Sequence, residues 1–279
     1  MQPYVVLVLY QTLWDEVVAK DLLAKWLTQN RLAGLLIYDN SPKAQQHPDF
    51  HLPKVTYQHH PENLGITIAY QTAYANLAQE INWLMLLDQD TQLTEDYLKQ
   101  AEQVIKTNHS NLAAIVPKVF ADNRQISPIA ADQYIRSGFQ EIASGITNNR
   151  IMAINSGSIW QRDFLDMIGG FNSKFPLDFL DHWLFYMVYQ KQWQVAILNT
   201  HLLHDLSVFN YDKVSTVRYQ SILSAESQYY RLYETKWLAH HQKQLLKRMV
   251  KQFLTVKNRR IWKLTFKAYW QLSKERNKS

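Results

Sequence analysis

The sequence predicts an α/β fold: a mostly parallel sheet flanked by helices, followed by a helical C-terminal extension. Three observations predict it. Short apolar runs without alternation recur through the first two hundred or so residues, separated by segments of helical periodicity, and that alternation builds a parallel, doubly wound sheet. Polar residues cluster where the apolar runs stop, as they do in loops gathered at the carboxyl edge of such a sheet. From Ser215 onward the pattern is helical throughout and turns strongly basic.

In chain order, residues 4–9 form a first buried strand that stops at Tyr10 and Gln11, and residues 14–29 carry Val17, Leu22, Leu23, Trp26 and Leu27 at helical spacing. A second strand, 35–38, runs into Asp39-Asn40-Ser41-Pro42, and a third, 55–58, into a polar loop that ends at Gly65. Both endings are turn signals. A helix follows to about residue 79, and then five consecutive apolar residues, 83–87, stop at Asp88. A run that short and apolar on both faces is an interior strand. The next helix, 94–107, has Glu95 and Asp96 in its first turn, where they complement the helix dipole. A strand at 112–119 comes next, and between 122 and 149 the pattern weakens into polar loops and short strands. Residues 151–160 read as one strand broken at Asn155-Ser156-Gly157-Ser158, and a helix at 162–168 is closed by Gly169-Gly170. An aromatic helix at 181–190 and a strand at 195–198 complete the α/β part.

Composition narrows the chemistry. With 47% hydrophobic and 13% aromatic residues the 279-residue chain is not a disordered one, and its lack of cysteine excludes disulfides, thiolate zinc sites and cysteine nucleophiles. A reducing compartment fits. The opening MQPYVVLVLYQ has no basic region before its apolar run and no stretch approaches a membrane span, so a mature cytoplasmic N-terminus is expected. There are only seven glycines, and neither G-x-G-x-x-G nor a Walker loop is present.

The residues with the clearest chemical content are Asp88 and Asp90, on either side of Gln89 at the end of the interior strand. Two carboxylates there repel each other unless a hard cation or a cationic partner offsets their charge. Asp-Gln-Asp is therefore a candidate metal site for a phosphorylated ligand; the alternative is a solvated turn that caps the helix beginning near Thr94. With no glycine cradle in the chain, a metal at Asp88 and Asp90 is what would hold a diphosphate.

Seven motifs in order carry a resemblance: Tyr10-Gln11, Asp39-Asn40-Ser41, Pro61-Glu62-Asn63-Leu64-Gly65, Asp88-Gln89-Asp90-Thr91, Asn155-Ser156-Gly157-Ser158, Ile168-Gly169-Gly170-Phe171, and Asp178 through Asp181-His182. In this order they resemble the family-2 glycosyltransferases of GT-A fold, above all the rhamnosyltransferase-like branch, over roughly residues 4 to 230. The resemblance implies a GT-A catalytic domain at 1–214, with a nucleotide-binding half of about 1–120 and an acceptor half of about 121–214, and a basic extension at 215–279. It implies a metal-dependent, inverting transfer of a sugar from dTDP-rhamnose or a UDP-hexose to a glycan or lipid-linked acceptor in bacterial polysaccharide assembly. Tyr10, Gln11, Asp39, Asn63, Gly65 and Asp88 would then bind the nucleotide, with Asp39 accepting the N3–H of a uracil or thymine ring. The alternative for Asp39 is an Asx-turn to the Ser41 backbone. Asp90, with Asp88 and more weakly His204, would hold Mg2+ or Mn2+. Asp181 would be the general base that takes the proton of the attacking hydroxyl, its alternative being the cap of the following helix. Asn155, Ser156, Gly157, Asp178, His182 and Trp183 would line the acceptor side. Gln11 and Gln71 stand where relatives often have asparagine, Ser207 where they have glycine, and Trp183 and Met187 where they have Glu and Arg. Those last two departures leave a non-catalytic partner subunit as the alternative; a sugar-1-phosphate nucleotidyltransferase is a further one, against which the missing glycine-rich loop counts.

The extension carries the charge. From Lys236 onward nine Lys and four Arg face one Glu, a net +12, so the remainder of a chain of net +6 carries −6. Apolar and aromatic residues interleave with these cations at helical spacing, which points to an anionic membrane surface and to a cytoplasmic protein held peripherally on the inner face of the cell membrane. A helix packed on the catalytic domain is the alternative. Nothing suggests nucleic acid; a homodimer is possible, and no motif in the sequence fixes the oligomeric state.

Overall fold

The computed structural model describes residues 2–107, 110–121, 124–134, 141–203 and 214–276. The chain divides into two compact units, Met1–Asp132 with Gly138–Asp205, and Gln133–Ser137 with Leu206–Ser279.

The first unit is built on β1 (Tyr4–Leu9), α1 (Lys20–Thr28), β2 (Gly34–Asp39), β3 (Val55–His59), α2 (Ile66–Ala75), β4 (Trp83–Asp88), α3 (Glu95–Lys106) and β5 (Leu112–Ala121). It continues through β6 (Arg124–Ser127), β7 (Ile129–Ala130), β8 (Gly145–Thr147), β9 (Ile151–Met152), β10 (Ile159–Gln161), α4 (Arg162–Ile168), α5 (Leu180–Gln190) and β11 (Gln194–Leu203). One sheet runs β3-β2-β1-β4-β10-β5-β11-β8, with β6 added on β5. β1, β2, β3 and β4 are mutually parallel, and β11 is parallel to β5. Their apolar runs are buried on both faces: Val5, Leu7, Leu9, Met85 and Leu87 join Leu23, Trp26, Tyr97 and Leu98 in a single core. Register gathers the strand ends that matter. Leu9 lies opposite Asp39, Asp39 opposite His59, and Val8 opposite Asp88. Because β1 has β2 on one side and β4 on the other, the chain reverses its winding there, and the carboxyl ends of β1 and β4 flank the crevice where open α/β sheets bind ligands.

The sheet is mostly parallel, as expected, with β10 running antiparallel between β4 and β5 and with β6 and β8 as antiparallel additions. Other expectations need correction. The stretch 151–160 is not one broken strand, because Asn155 to Ser158 separate β9, paired with β7 in a small second sheet, from β10 in the main one. The first helix begins at Lys20, after a single 3-10 turn at Trp14–Glu16, and α2 stops at Ala75. Other signals hold. The Thr94 hydroxyl caps α3 by accepting the Tyr97 N–H, and Gly169 closes α4 in the left-handed region at φ 78°.

The second unit contains α6 (Thr216–Leu232), α7 (Leu238–Thr255) and α8 (Arg259–Arg276). They close on Tyr219, Leu223, Leu245, Val256, Ile261 and Leu272. Polar side chains in this core pair with one another: Tyr219 Oη meets Thr265 Oγ1 at 2.8 Å and accepts from Gln252 Nε2 at 2.7 Å. Arg248 grips the buried Glu226 carboxylate with two hydrogen bonds of 2.7 Å.

Candidate active site

Strand β4 ends at Asp88, and the turn that follows is held from behind. The Asp88 N–H donates to Ser156 Oγ at 2.9 Å, Ser156 Oγ also meets the Thr91 hydroxyl, and the Gly157 N–H donates to the Leu86 carbonyl at 2.8 Å. The Gly157 carbonyl in turn accepts from Tyr97 Oη at 2.7 Å. Gly157 has φ 78°, and a β-carbon there would sit 3.2 Å from Pro117 and 3.3 Å from Leu202, which accounts for glycine at this position. Asn155, Ser156 and Gly157, expected to face the acceptor, are thus buried, and Ser156 and Gly157 brace the Asp88–Thr91 turn; the Asn155 Oδ1 is a buried acceptor with no hydrogen-bond partner. On the front, Asp88 is half-buried and Asp90 exposed. Gln89 Oε1 accepts the Tyr10 N–H at 2.7 Å, which ties the end of β1 to the acidic turn. Among the described residues no three His, Asp or Glu side chains come together as a metal cage. The donor set at Asp88 and Asp90 fits a hard cation in kind, both being carboxylates, and in number it fits an ion whose other positions come from a diphosphate and water.

Asp39 is wholly buried. Its Oδ1 accepts the Ser41 N–H at 2.8 Å, the Asx-turn alternative, while Oδ2 accepts from Tyr57 Oη at 2.7 Å and Gln45 Nε2 at 3.1 Å. Gln45 does more than that: its amide also donates to the Thr12 carbonyl at 2.9 Å, its Oε1 accepts the Trp14 N–H at 2.8 Å, and its own N–H donates to Tyr57 Oη at 2.9 Å. The carboxylate set out for a nucleobase is in this structure an internal pin joining the loops after β1 and β2. Gln45 and Tyr57 were not legible as its partners, since they lie 6 and 18 residues away in segments with no motif. Beside them, Gln11 sits at φ 53° with its N–H on Ser41 Oγ at 2.8 Å. Asn63 is exposed at φ 48° and donates its N–H to the His60 carbonyl at 3.2 Å.

Gly65 joins the two halves of the site. At φ 86° it presses on the chain before α5, so that a β-carbon would lie 2.3 Å from the Pro176 carbonyl oxygen, and the next turn of α2 adds the Thr67 N–H to that same carbonyl at 3.2 Å. The loop expected at the nucleotide is therefore fastened to the segment that leads to Asp181. Asp181 is in the first turn of α5 but does not cap it, because the cap is Phe179 in the left-handed region. That removes the structural alternative for Asp181. Its Oδ1 accepts the His182 N–H at 2.8 Å, and burial pushes its pKa up to about 6. Tyr70, a fully buried residue of α2, has its hydroxyl 3.5 Å from Asp88 Oδ1. Burial first, and then the charges of Asp88 and Asp181, hold the Tyr70 phenol well above its ordinary pKa. Tyr70 thus reaches the acidic turn and lies within the field of the candidate base, and only its place on the helix after Gly65 could have drawn notice. Its neighbour Gln71, noted as a departure, accepts the Phe171 N–H at 2.9 Å and fixes the Gly169-Gly170 loop.

On the expected acceptor side, Asp178 and His182 are half-buried and the His182 ring stacks on Phe179 at 4.4 Å. Trp183 is core, 5% exposed, as is Phe185; Tyr186 is half-buried with the Arg150 guanidinium 5.6 Å from its ring, and Tyr189 is exposed. His204 and Ser207 lie outside the described residues.

Residues 18–168, more than half the chain, match the family described as "Glycosyl transferase family 2". No curated protein sequence matches. Among solved structures, the chain is similar to residues 1–349 of S. aureus TarS, at 14% identity and a TM-score of 0.51, over 99% of this chain and 82% of that one. It is also similar to a longer S. aureus TarS structure, at 15% identity and a TM-score of 0.51, over 96% of this chain and 52% of that one, about half its length. At such identity the likeness speaks to the fold, a mixed α/β sheet of GT-A type with C-terminal helices.

Proposed function

The chain belongs to glycosyl transferase family 2, and we propose that it is an inverting enzyme that takes a sugar from dTDP-rhamnose or a UDP-hexose and adds it to a glycan or lipid-linked acceptor, as the rhamnosyltransferase-like branch does. The observation that carries this reading is Asp181. It is a carboxylate whose pKa stands near 6 through burial, on the first turn of a helix, with its charge acting on the buried Tyr70 whose hydroxyl reaches Asp88. An inverting transfer needs a base near neutrality to take the proton of the attacking hydroxyl as the bond to the anomeric carbon forms and the bond to the diphosphate breaks. Asp88 and Asp90 would hold Mg2+ or Mn2+, which when bound supplies positive charge for the departing diphosphate. Tyr10 and Gln11 at the end of β1, with Asn63 beyond β3, supply the rim for the nucleoside. The half-buried Asp178, just before α5, and His182 in its first turn are the residues for the acceptor side. Trp183 packs in the core, so this departure from the family pattern serves packing and does not by itself argue for a non-catalytic partner.

The test is Asp181→Asn. Transfer, or donor hydrolysis in the absence of an acceptor, should fall on the order of 10²- to 10⁴-fold while donor affinity stays within about twofold, because the base acts only as the reaction proceeds. A variant with full turnover would move the base to Asp178.

A further inference from the structure

Helices α7 and α8 each carry two apolar faces, and the core of their unit uses one. On α7, Leu245 is buried with His241, Gln242 and Gln252, whereas Leu246 remains 41% exposed, Val250 47%, Phe253 50% and Leu254 73%. At 3.6 residues per turn these four form a stripe roughly a third of a turn round from the buried face. The same division recurs on α8. Ile261, Thr265 and Leu272 face the core, and Phe266 and Trp270, one turn apart with their rings stacked at 6.3 Å, face outward at 43% and 52% exposure. Phe253 meets Trp262 edge-on at 5.4 Å, so the two stripes join where the helices meet.

Cations border this surface. Lys243, Lys247 and Lys251 follow the α7 stripe, and Lys263 and Lys267 the α8 stripe, all exposed. The Arg259 guanidinium lies over the Phe253 ring, 5.4 Å from its centre, and the Lys274 ammonium over that of Trp270 at 5.7 Å, so cations and exposed rings share this face. A second copy presenting the same face would oppose its own charge, because the segment from Lys236 carries +12. An anionic bilayer offers apolar depth for the rings and a diffuse negative layer for the ammonium groups. No helix among the described residues is long and apolar enough to cross a membrane. We propose that the joined α7–α8 stripe docks on the surface of an anionic lipid bilayer, with Phe253, Phe266 and Trp270 entering the headgroup boundary and the lysines staying at phosphate level. This docking does not depend on the reaction proposed at Asp181.

The experiment is co-sedimentation of the full-length protein with phosphatidylcholine vesicles, with and without one-third phosphatidylglycerol, at low and high salt. Binding should require the anionic lipid, weaken with salt, and fall about tenfold or more in the Phe266→Ser, Trp270→Ser double variant. Circular dichroism should be unchanged, since both side chains are exposed. Leu246→Gln with Val250→Gln on the other helix repeats the test should the first pair disturb folding, and Lys263→Glu with Lys267→Glu should reduce binding through charge alone. The proposal is overturned if the protein ignores anionic vesicles at low salt, if it binds neutral vesicles equally, or if both apolar variants bind as wild type. It is equally overturned if those variants instead abolish a concentration-dependent dimer, which would assign the face to a second copy.

Discussion

At Asp181 a single carboxyl makes opposed demands on stability and on chemistry. Its folded pKa, pushed up to about 6 by burial, stands above the ordinary carboxylate value, so the native state holds this proton more tightly than the unfolded chain does. Stability is therefore lost, not gained, as the pH rises from about 4 to about 6, and above that the buried charge is a standing cost. Asp181→Asn removes the charge and should raise stability at pH 7 by about 1–3 kcal/mol relative to wild type, with the gain vanishing near pH 4, as urea unfolding across that range would show. In the wild-type enzyme kcat/KM should decline as the pH falls through about 6, where the base is protonated. A flat profile from pH 5 to 8 would remove Asp181 from that role. Asp39 is the contrasting case, a buried carboxylate with three donors. Tyr57→Phe strips one of them and leaves the Gln45 N–H unpaired, at a cost of about 1–3 kcal/mol in urea unfolding. What could be read in the sequence here was the residue type at each strand end. Whether a carboxylate faces a ligand or pins two loops depends on Gln45 and Tyr57, which only the fold brings to it.

Among elements, the long periodic ones were legible and the short ones were not. β1 to β4, α3 and the helical C-terminal segment announce themselves through continuous apolar runs or helical spacing. β10 has three residues and β9 two, too few for any period, and the antiparallel insertion of β10 between β4 and β5 is a tertiary event. Gly65 shows how much a site can rest on one junction between elements. It was expected near the nucleotide, but its demand for glycine comes from the Pro176 carbonyl and from φ 86°. Gly65→Ala should cost roughly 1–3 kcal/mol and, by pushing the loop before α2 away from the segment before α5, lower both donor affinity and kcat. A calorimetric titration alongside a thermal melt checks this; an alanine variant with wild-type melting and binding would show that the two segments are not held in common.

Over the whole molecule the charge is divided, and that division was legible from composition alone: the first 235 residues carry −6 and the remainder +12. A nucleotide diphosphate is itself an anion, and it would have to approach an acidic part of the chain at a sheet edge that already bears Asp88 and Asp90. The chain has no glycine loop whose N–H groups could cradle phosphate oxygens, so on the reading proposed above the compensating charge would come from a divalent cation held by those carboxylates. Binding of UDP and of dTDP should accordingly be measurable by calorimetry with Mn2+ and weaken on the order of tenfold or more with EDTA or in Asp90→Ala. Asp90 is exposed, and a thermal melt of the variant beside the wild type separates lost metal binding from lost folding. Equal affinity in all three conditions would defeat the metal reading and require basic side chains to supply the charge instead. Because those are concentrated from Lys236 onward, the same titration repeated in high salt distinguishes the two sources: a diphosphate held by exposed lysines is screened off, whereas one held through a coordinated ion keeps most of its affinity.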